Sequence, residues 1–276
     1  MTLRRIKATL KCRFPRLWVA YSARLGRTEI ELLRLSEIVP PDRVSIDAGA
    51  NISNYTRKLA QLTPAVHAFE PSREAFDILR RTVTSNVTVH KMALSDRVGT
   101  LSLFVPSVTS GRAETALASL DRPHHMYGVE IETIQTARLD DVVPQADVGF
   151  IKIDVEGHEL NLLRGATAII ERCRPVLLVE CEERHSPGGL AALLKFFEAR
   201  NYRCRIMIGA AEWMEFADFD VTTHQNTAAL RRHTKTRSDL HQQFHFLSAR
   251  VICPASMERR WRLRHNTAKS LSLYNM

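Results

Sequence analysis

Long apolar runs are missing from this chain of 276 residues. Charged residues break up every hydrophobic stretch well before 18 residues, which excludes a transmembrane helix as the sequence stands. The N-terminal "MTLRRIKATLKCRFPRLWVAY" is basic but lacks the uninterrupted apolar core of a secretion signal. Cysteine is scarce: five residues, Cys12, Cys173, Cys181, Cys204 and Cys253, an odd number with no CxxC pair. Such usage argues against a disulfide framework and for reduced thiols in a cytoplasmic protein, with Cys181 and Cys204 as small core residues. His124, His125 and His158 are not spaced as zinc ligands. Aromatics make up only 7% and do not interleave with basic residues in the manner of an RNA-binding platform, so no nucleic-acid partner is expected. Neither a Gly-Lys-Ser/Thr P-loop nor a complete GxGxxG turn occurs, which disfavours nucleoside triphosphates and pyrophosphate dinucleotides.

Acid is absent from one place in particular. Residues 1–27 carry eight Arg and Lys and no Asp or Glu. Residues 231–276 carry ten Arg and Lys against Asp239 and Glu258. The middle, 28–230, therefore has a net charge of −7 although the whole chain carries +9. Two readings follow for the basic flanks: ordinary solvated surface, or contact with an anionic membrane face or lipid-linked saccharide. The chain divides accordingly into a basic helical extension over 1–38, a domain over 39–250 and a basic tail over 251–276.

What is present is a strand–helix alternation. Strands are expected near 44–48, 65–70, 87–93, 149–154, 175–181, 202–208 and 243–249, and helices near 28–38, 53–62, 72–83, 158–172 and 188–200. Continuous apolar strands such as "FIKID" and "PVLLVEC" suit a sheet covered on both faces, so the fold class is α/β with parallel βαβ units. Gly99 opens "GTLSLFVP", read as an extra hairpin strand. Residues 106–137 read as an irregular insertion and a candidate substrate lid.

The polar residues gather at the predicted carboxyl ends of strands, where open α/β sheets bind ligands. "VSIDAGANIS" joins the first strand to a helix through Asp47, Gly49 and Asn51. An acid beside a tight glycine turn suits a ligand with a sulfonium and an ammonium and no phosphate, which is S-adenosylmethionine. Glu70 ends the second strand, 21 residues after Gly49, where a carboxylate accepts from ribose hydroxyls. Ser95 and Asp96 follow the third strand, either beside an adenine edge or as plain turn residues. "FIKIDVEGHE" then brings Asp154, Glu156, His158 and Glu159 together at one strand end, and "PVLLVECEERH" brings Glu180, Glu182 and His185 to the next. Asp154 is the expected general base or substrate-orienting acid, Glu180 its partner and His158 the reserve candidate. Lys152 lies inside an apolar strand and requires an acid partner. A divalent ion between Asp154 and Glu180 would be of the Mg or Ca type, but the spacing is no metal signature and no metal site is expected.

Taken in order, "VSIDAGANISNYTRKLA", "AFEPSREAFDILRRTV", "ALSDRVGTLSLFV", "IKIDVEGHELNLLRGA" and "PVLLVECEERH" resemble the FkbM family of S-adenosylmethionine-dependent methyltransferases over about residues 40–185. The resemblance implies a class I methyltransferase, Rossmann-like fold: a seven-stranded, mostly parallel sheet with helices on both faces and an antiparallel last strand. It implies methylation of a hydroxyl on a sugar, glycoconjugate or related natural product. It implies cofactor binding by Asp47, Gly49, Asn51 and Glu70, with Ser95 and Asp96 near adenine and Asp154 and Glu156 at the methyl-transfer edge. Ser53 stands where the family usually has glycine. Two other functions are weighed against it: a non-catalytic binding module recruited to an anionic partner, and an NAD-dependent oxidoreductase, the latter opposed by the missing glycines.

Overall fold

A computed structural model describes residues 30–52, 54–108, 112–113, 129–181, 186–208, 212–215 and 252–254. Ser53, Glu182, His185, the strand expected over 243–249, the basic flanks apart from Ile252–Pro254, and most of the candidate lid lie outside them. The chain begins with helix α1 (Ile30–Ile38) and strand β1 (Val44–Ala48), then α2 (Asn54–Leu62), β2 (Val66–Phe69), α3 (Arg73–Thr82) and β3 (Val87–His90). A side excursion follows: β4 (Ala93–Leu94), β5 (Gly99–Val108), β6 (Arg112–Ala113), β7 (Val129–Ala137) and the short α4 (Leu139–Val142). The chain then returns through β8 (Val148–Ile153), α5 (Glu159–Gly165), α6 (Thr167–Cys173), β9 (Val176–Val179), α7 (Gly189–Glu198), β10 (Tyr202–Ile208), β11 (Glu212–Glu215) and β12 (Ile252–Pro254).

The main sheet has the order β11-β10-β12-β9-β8-β1-β2-β3. Strands β9, β8, β1, β2 and β3 are mutually parallel. Only β12, antiparallel to both β9 and β10, and β11, antiparallel to β10, break the pattern. The sheet is therefore mostly parallel with an antiparallel late strand, as expected, but among the described residues it has eight strands because β11 extends the edge. The late strand sits at Ile252–Pro254, inside the segment read as a tail. Helix α1 is likewise part of the domain's packing, although the extension was expected to run to residue 38. Leu35 is fully buried against Leu59, Phe150 and Leu178.

The apolar strands are explained by their two covered faces. Phe150 and Leu178 meet α1 and α2, while Ile151, Ile153, Leu177 and Val179 meet Leu162, Leu163, Ile169, Ile170, Leu193 and Phe197 of α5, α6 and α7. Each such side chain contributes roughly 1.5–3 kcal/mol by leaving water.

Two expectations change. The segment over 106–137 is not irregular throughout: residues 129–136 pair antiparallel with residues 99–106. The expected helix over 158–172 is two helices. A Cβ on Gly165 would collide with the Ser95 carbonyl oxygen, so α5 ends against that turn. A new helix starts where Asp140 accepts from the N–H groups of Ala168 and Ile169 at 3.1 and 3.0 Å.

Candidate active site

Strand register brings the polar residues to one edge. Ala48 pairs with Phe69 on one side and Ile153 on the other, and Ile153 pairs with Val179. Gly49, Glu70, Asp154 and Glu180 therefore stand level, each one residue beyond the last pair, on four neighbouring strands. At a strand spacing of about 4.8 Å this edge is roughly 14 Å long. Backbone bonds fix it: Gly49 and Ala50 donate to the Phe69 carbonyl, Asp154 to Ala48, and Glu180 to Ile153.

The first turn is close to the fourth parallel strand. Gly49 has φ +74°, and a Cβ there would run into the Asp154 carbonyl oxygen, so glycine is required on both counts. Asn51 is also left-handed, at φ +47°, a conformation that asparagine tolerates. Glu70 clamps this turn. Its Oε2 accepts from the Asn51 N–H at 2.7 Å and its Oε1 from the Ser72 N–H at 2.8 Å. Burial pushes its carboxyl up to about 7 against the opposing pull of those two N–H groups and Lys152.

Beneath the edge lies an ion-pair cluster. Asp47 is fully buried and accepts from Thr56 Oγ1 at 2.6 Å. Lys152, 4% exposed, has the acid partners its burial demands. Its Nζ is 3.5 Å from Asp47 Oδ1 and 3.1 Å from Asp154 Oδ2, donates to the Gly49 carbonyl at 2.8 Å and lies 5.1 Å from the Tyr55 ring centre. Lysine 152 was legible as a residue in need of a partner; its bond to the Gly49 turn was not. Asp154 is 30% exposed, so its carboxylate is reached from solvent while one oxygen is held by Lys152. Glu180 follows the neighbouring strand, its backbone level with Asp154. Glu156, at φ +48°, and Gly157, at φ +99°, form the turn into α5, and the Gly157 N–H donates to Glu159 at 2.8 Å.

Ser95, Asp96 and His158 meet at the other end. His158 Nε2 is 2.9 Å from Ser95 Oγ, which donates to Asp96 Oδ1 at 3.1 Å. His158 Nδ1 is 3.2 Å from Asn161 Nδ2. Both ring nitrogens of this candidate base thus face protein groups. Among the described residues no cluster of three or more His, Cys, Asp or Glu could hold a metal ion.

Sequence reasoning missed Glu132. Its carboxylate crosses from β7 to accept from the Arg73 N–H at 3.1 Å, tying the hairpin to the first turn of α3 just beyond Glu70. The signal was weak: the apolar residues of "VEIETIQTA" fall at Val129 and Ile131 and then at Ile134, so the period-two alternation breaks within the strand.

Residues 47–204, more than half the chain, match the family model described as the methyltransferase FkbM domain. The chain belongs to this family. Among similar proteins, "Methyltransferase 1" of Beauveria bassiana is 30% identical over 149 residues, covering 46% of this chain and 59% of the relative. "Hexuronic acid methyltransferase AglP" of Haloferax volcanii is 29% identical over 175 residues, covering 61% of this chain and 68% of the relative. The chain thus spans less than two thirds of the Beauveria protein's length. The crystal structure of an FkbM methyltransferase from Methylobacillus flagellatus superposes with a TM-score of 0.45 at 20% identity, over 63% of this chain and 42% of that one. The FkbM match begins at Asp47 and ends at Cys204, so it contains every residue of the acidic edge.

Proposed function

We propose that this FkbM-family chain transfers a methyl group from S-adenosylmethionine to a hydroxyl of a sugar or glycoconjugate. The observation that carries the reading is the acidic edge itself: Glu70, Asp154 and Glu180 stand level at neighbouring strand ends, above the buried Asp47 that pairs with Lys152. That set of acceptors fits a ligand rich in positive charge and hydrogen-bond donors, and repels a pyrophosphate. Glu70 would hold the ribose hydroxyls, since each oxygen keeps acceptor capacity beyond its one backbone N–H. Gly49 and Asn51 would lie along the amino-acid portion, and Asp96 beside the adenine amine, with Glu156 at the methyl-transfer edge.

When bound, the cofactor supplies an electrophilic methyl on a sulfonium, so the protein's task is positioning and proton removal. Asp154 would accept the hydroxyl proton as the acceptor oxygen attacks in line. Lys152 fixes its carboxylate by one oxygen, leaving the other for the acceptor. Glu180, level on the next strand, would take a second hydroxyl of the same sugar. The sugar class is supported by the Haloferax relative, whose name specifies hexuronic acid.

The test is incubation with methyl-labelled S-adenosylmethionine and a panel of neutral and uronic glycosides. The expected product carries label that survives mild base, as a methyl ether does. Asp154→Asn should abolish turnover while S-adenosylhomocysteine still binds. Label released by mild base would move the reaction from a hydroxyl to a carboxyl group, and undiminished turnover in Asp154→Asn would remove Asp154 from its role.

A further inference from the structure

His158 belongs to the most polar motif of the sequence, yet its two ring nitrogens face Ser95 and Asn161. We propose that His158 is a positioning residue that sets the cofactor's base selectivity by orienting Asp96 through Ser95. The inference rests on the S-adenosylmethionine reading above.

The tautomer follows from the neighbours. Arg164 Nη1 donates to Asn161 Oδ1 at 3.4 Å, which turns the amide nitrogen of Asn161 toward His158 Nδ1 at 3.2 Å. An amide N–H only donates, so Nδ1 accepts and the ring proton resides on Nε2. Nε2–H then donates to Ser95 Oγ at 2.9 Å, and the Ser95 hydroxyl is left to donate to Asp96 Oδ1 at 3.1 Å. The direction of every bond in the chain Asn161–His158–Ser95–Asp96 is thereby fixed. It ends on a carboxylate that is one-third exposed and whose remaining lone pairs are acceptors. A carboxylate aimed in this way distinguishes an adenine, which presents an amine, from a hypoxanthine, which presents a carbonyl.

The surrounding packing supports the same role. Ser95 is 2% exposed, and its N–H donates to the Ala137 carbonyl at 2.9 Å. Gly165 permits α5 to press its backbone onto the Ser95 carbonyl. The turn is thus pinned by the strand end on one side and by both ends of α5 on the other. A single relay carries that placement to the Asp96 carboxylate; the nearby Arg97, 3.9 Å away and largely exposed, offers only a screened attraction.

The experiment compares the affinities of S-adenosylhomocysteine and its deaminated analogue S-inosylhomocysteine by calorimetry. Wild type should prefer the adenine form by on the order of tenfold, the size of one well-placed hydrogen bond. His158→Ala and Ser95→Ala should reduce the preference to near one, mainly by weakening the adenine form, and His158→Gln, which restores a donor at the Nε2 position, should recover most of it. Ser95→Ala removes a single oxygen and serves as the check should His158→Ala fail to fold. A preference unchanged in folded variants, or one absent from wild type, would overturn the assignment. A wild type that binds neither compound would overturn the cofactor reading and this inference with it.

Discussion

Replacing Lys152 with Met tests the ion-pair cluster under the candidate site. Lys152 and Asp47 are 4% and 0% exposed, so the substitution removes one member of a buried pair and strands the other. The thioether chain fills most of the lysine's volume, which keeps cavity formation small. What remains is Asp47 with Thr56 as its hydrogen-bond donor and no cation at 3.5 Å. Breaking a buried pair in this way costs about 3–5 kcal/mol. Loss of the bond to the Gly49 carbonyl adds to it. Against a total stability of about 5–15 kcal/mol this is a large share. It corresponds to a fall in melting temperature of roughly 6–20 °C. Urea denaturation and thermal melting at neutral pH measure it. The double variant Lys152→Met with Asp47→Asn removes the stranded charge and should regain about 1–2 kcal/mol over the single one. A loss below about 1 kcal/mol in Lys152→Met, or a double variant no more stable than the single, would refute the reasoning.

Gly49→Ala places a Cβ where the Asp154 carbonyl stands and forces φ +74° on a residue that resists it; the expected result is a destabilised protein that no longer binds S-adenosylhomocysteine, measured by melting and calorimetry. On the proposed cofactor reading, Glu70, raised to about 7 by burial, should make nucleoside affinity pH-dependent: the carboxylate form would bind, so affinity should weaken as pH falls through about 7, and Glu70→Gln should flatten the profile at the low-pH level. The same shift acts on stability with the opposite sign. Between 4.5 and about 7 the folded state holds a proton that the unfolded state has released, so this group's contribution falls as pH rises through that window. His67 Nδ1 and His90 Nε2 face each other at 3.0 Å, and burial, with His67 adding, lowers His90 from 6.5 to about 4. Its neutral form contributes stability that is present above 6.5 and lost as pH falls toward 4; acid denaturation followed by fluorescence should shift to lower pH in His90→Gln.

The parts legible in the sequence are those written in one strand or one turn. "FIKID" gave a doubly covered strand because apolar residues fill both faces, and Lys152 within it signalled an acid partner because a lone buried ammonium is too costly. That Asp154 and Glu180 end successive parallel strands was legible from the strand–helix alternation; the place of the Asp47 and Glu70 strands beside them came only from the sheet order. What escaped reading depends on contacts between distant segments. The break between α5 and α6 comes from the Ser95 carbonyl against Gly165 and from Asp140 at the second helix start, 70 and about 28 residues away. Strand β7 was hidden because Ile131 faces solvent while Glu132 turns inward to reach Arg73, which spoils the polar-out pattern. His158 read as a candidate base from its motif; only the placement of Ser95 and Asn161 shows both its nitrogens occupied.

The central claim is that the edge carrying Gly49 and Glu70, braced from beneath by the buried Asp47–Lys152 pair, holds a sulfonium nucleoside. Its most direct test is isothermal titration of the purified chain with S-adenosylmethionine, S-adenosylhomocysteine and NAD in parallel, repeated on Glu70→Ala. The account predicts binding of the first two, no binding of NAD, and loss of binding in the variant. Binding of NAD alone, or affinity for the nucleosides that Glu70→Ala leaves unchanged, would contradict it.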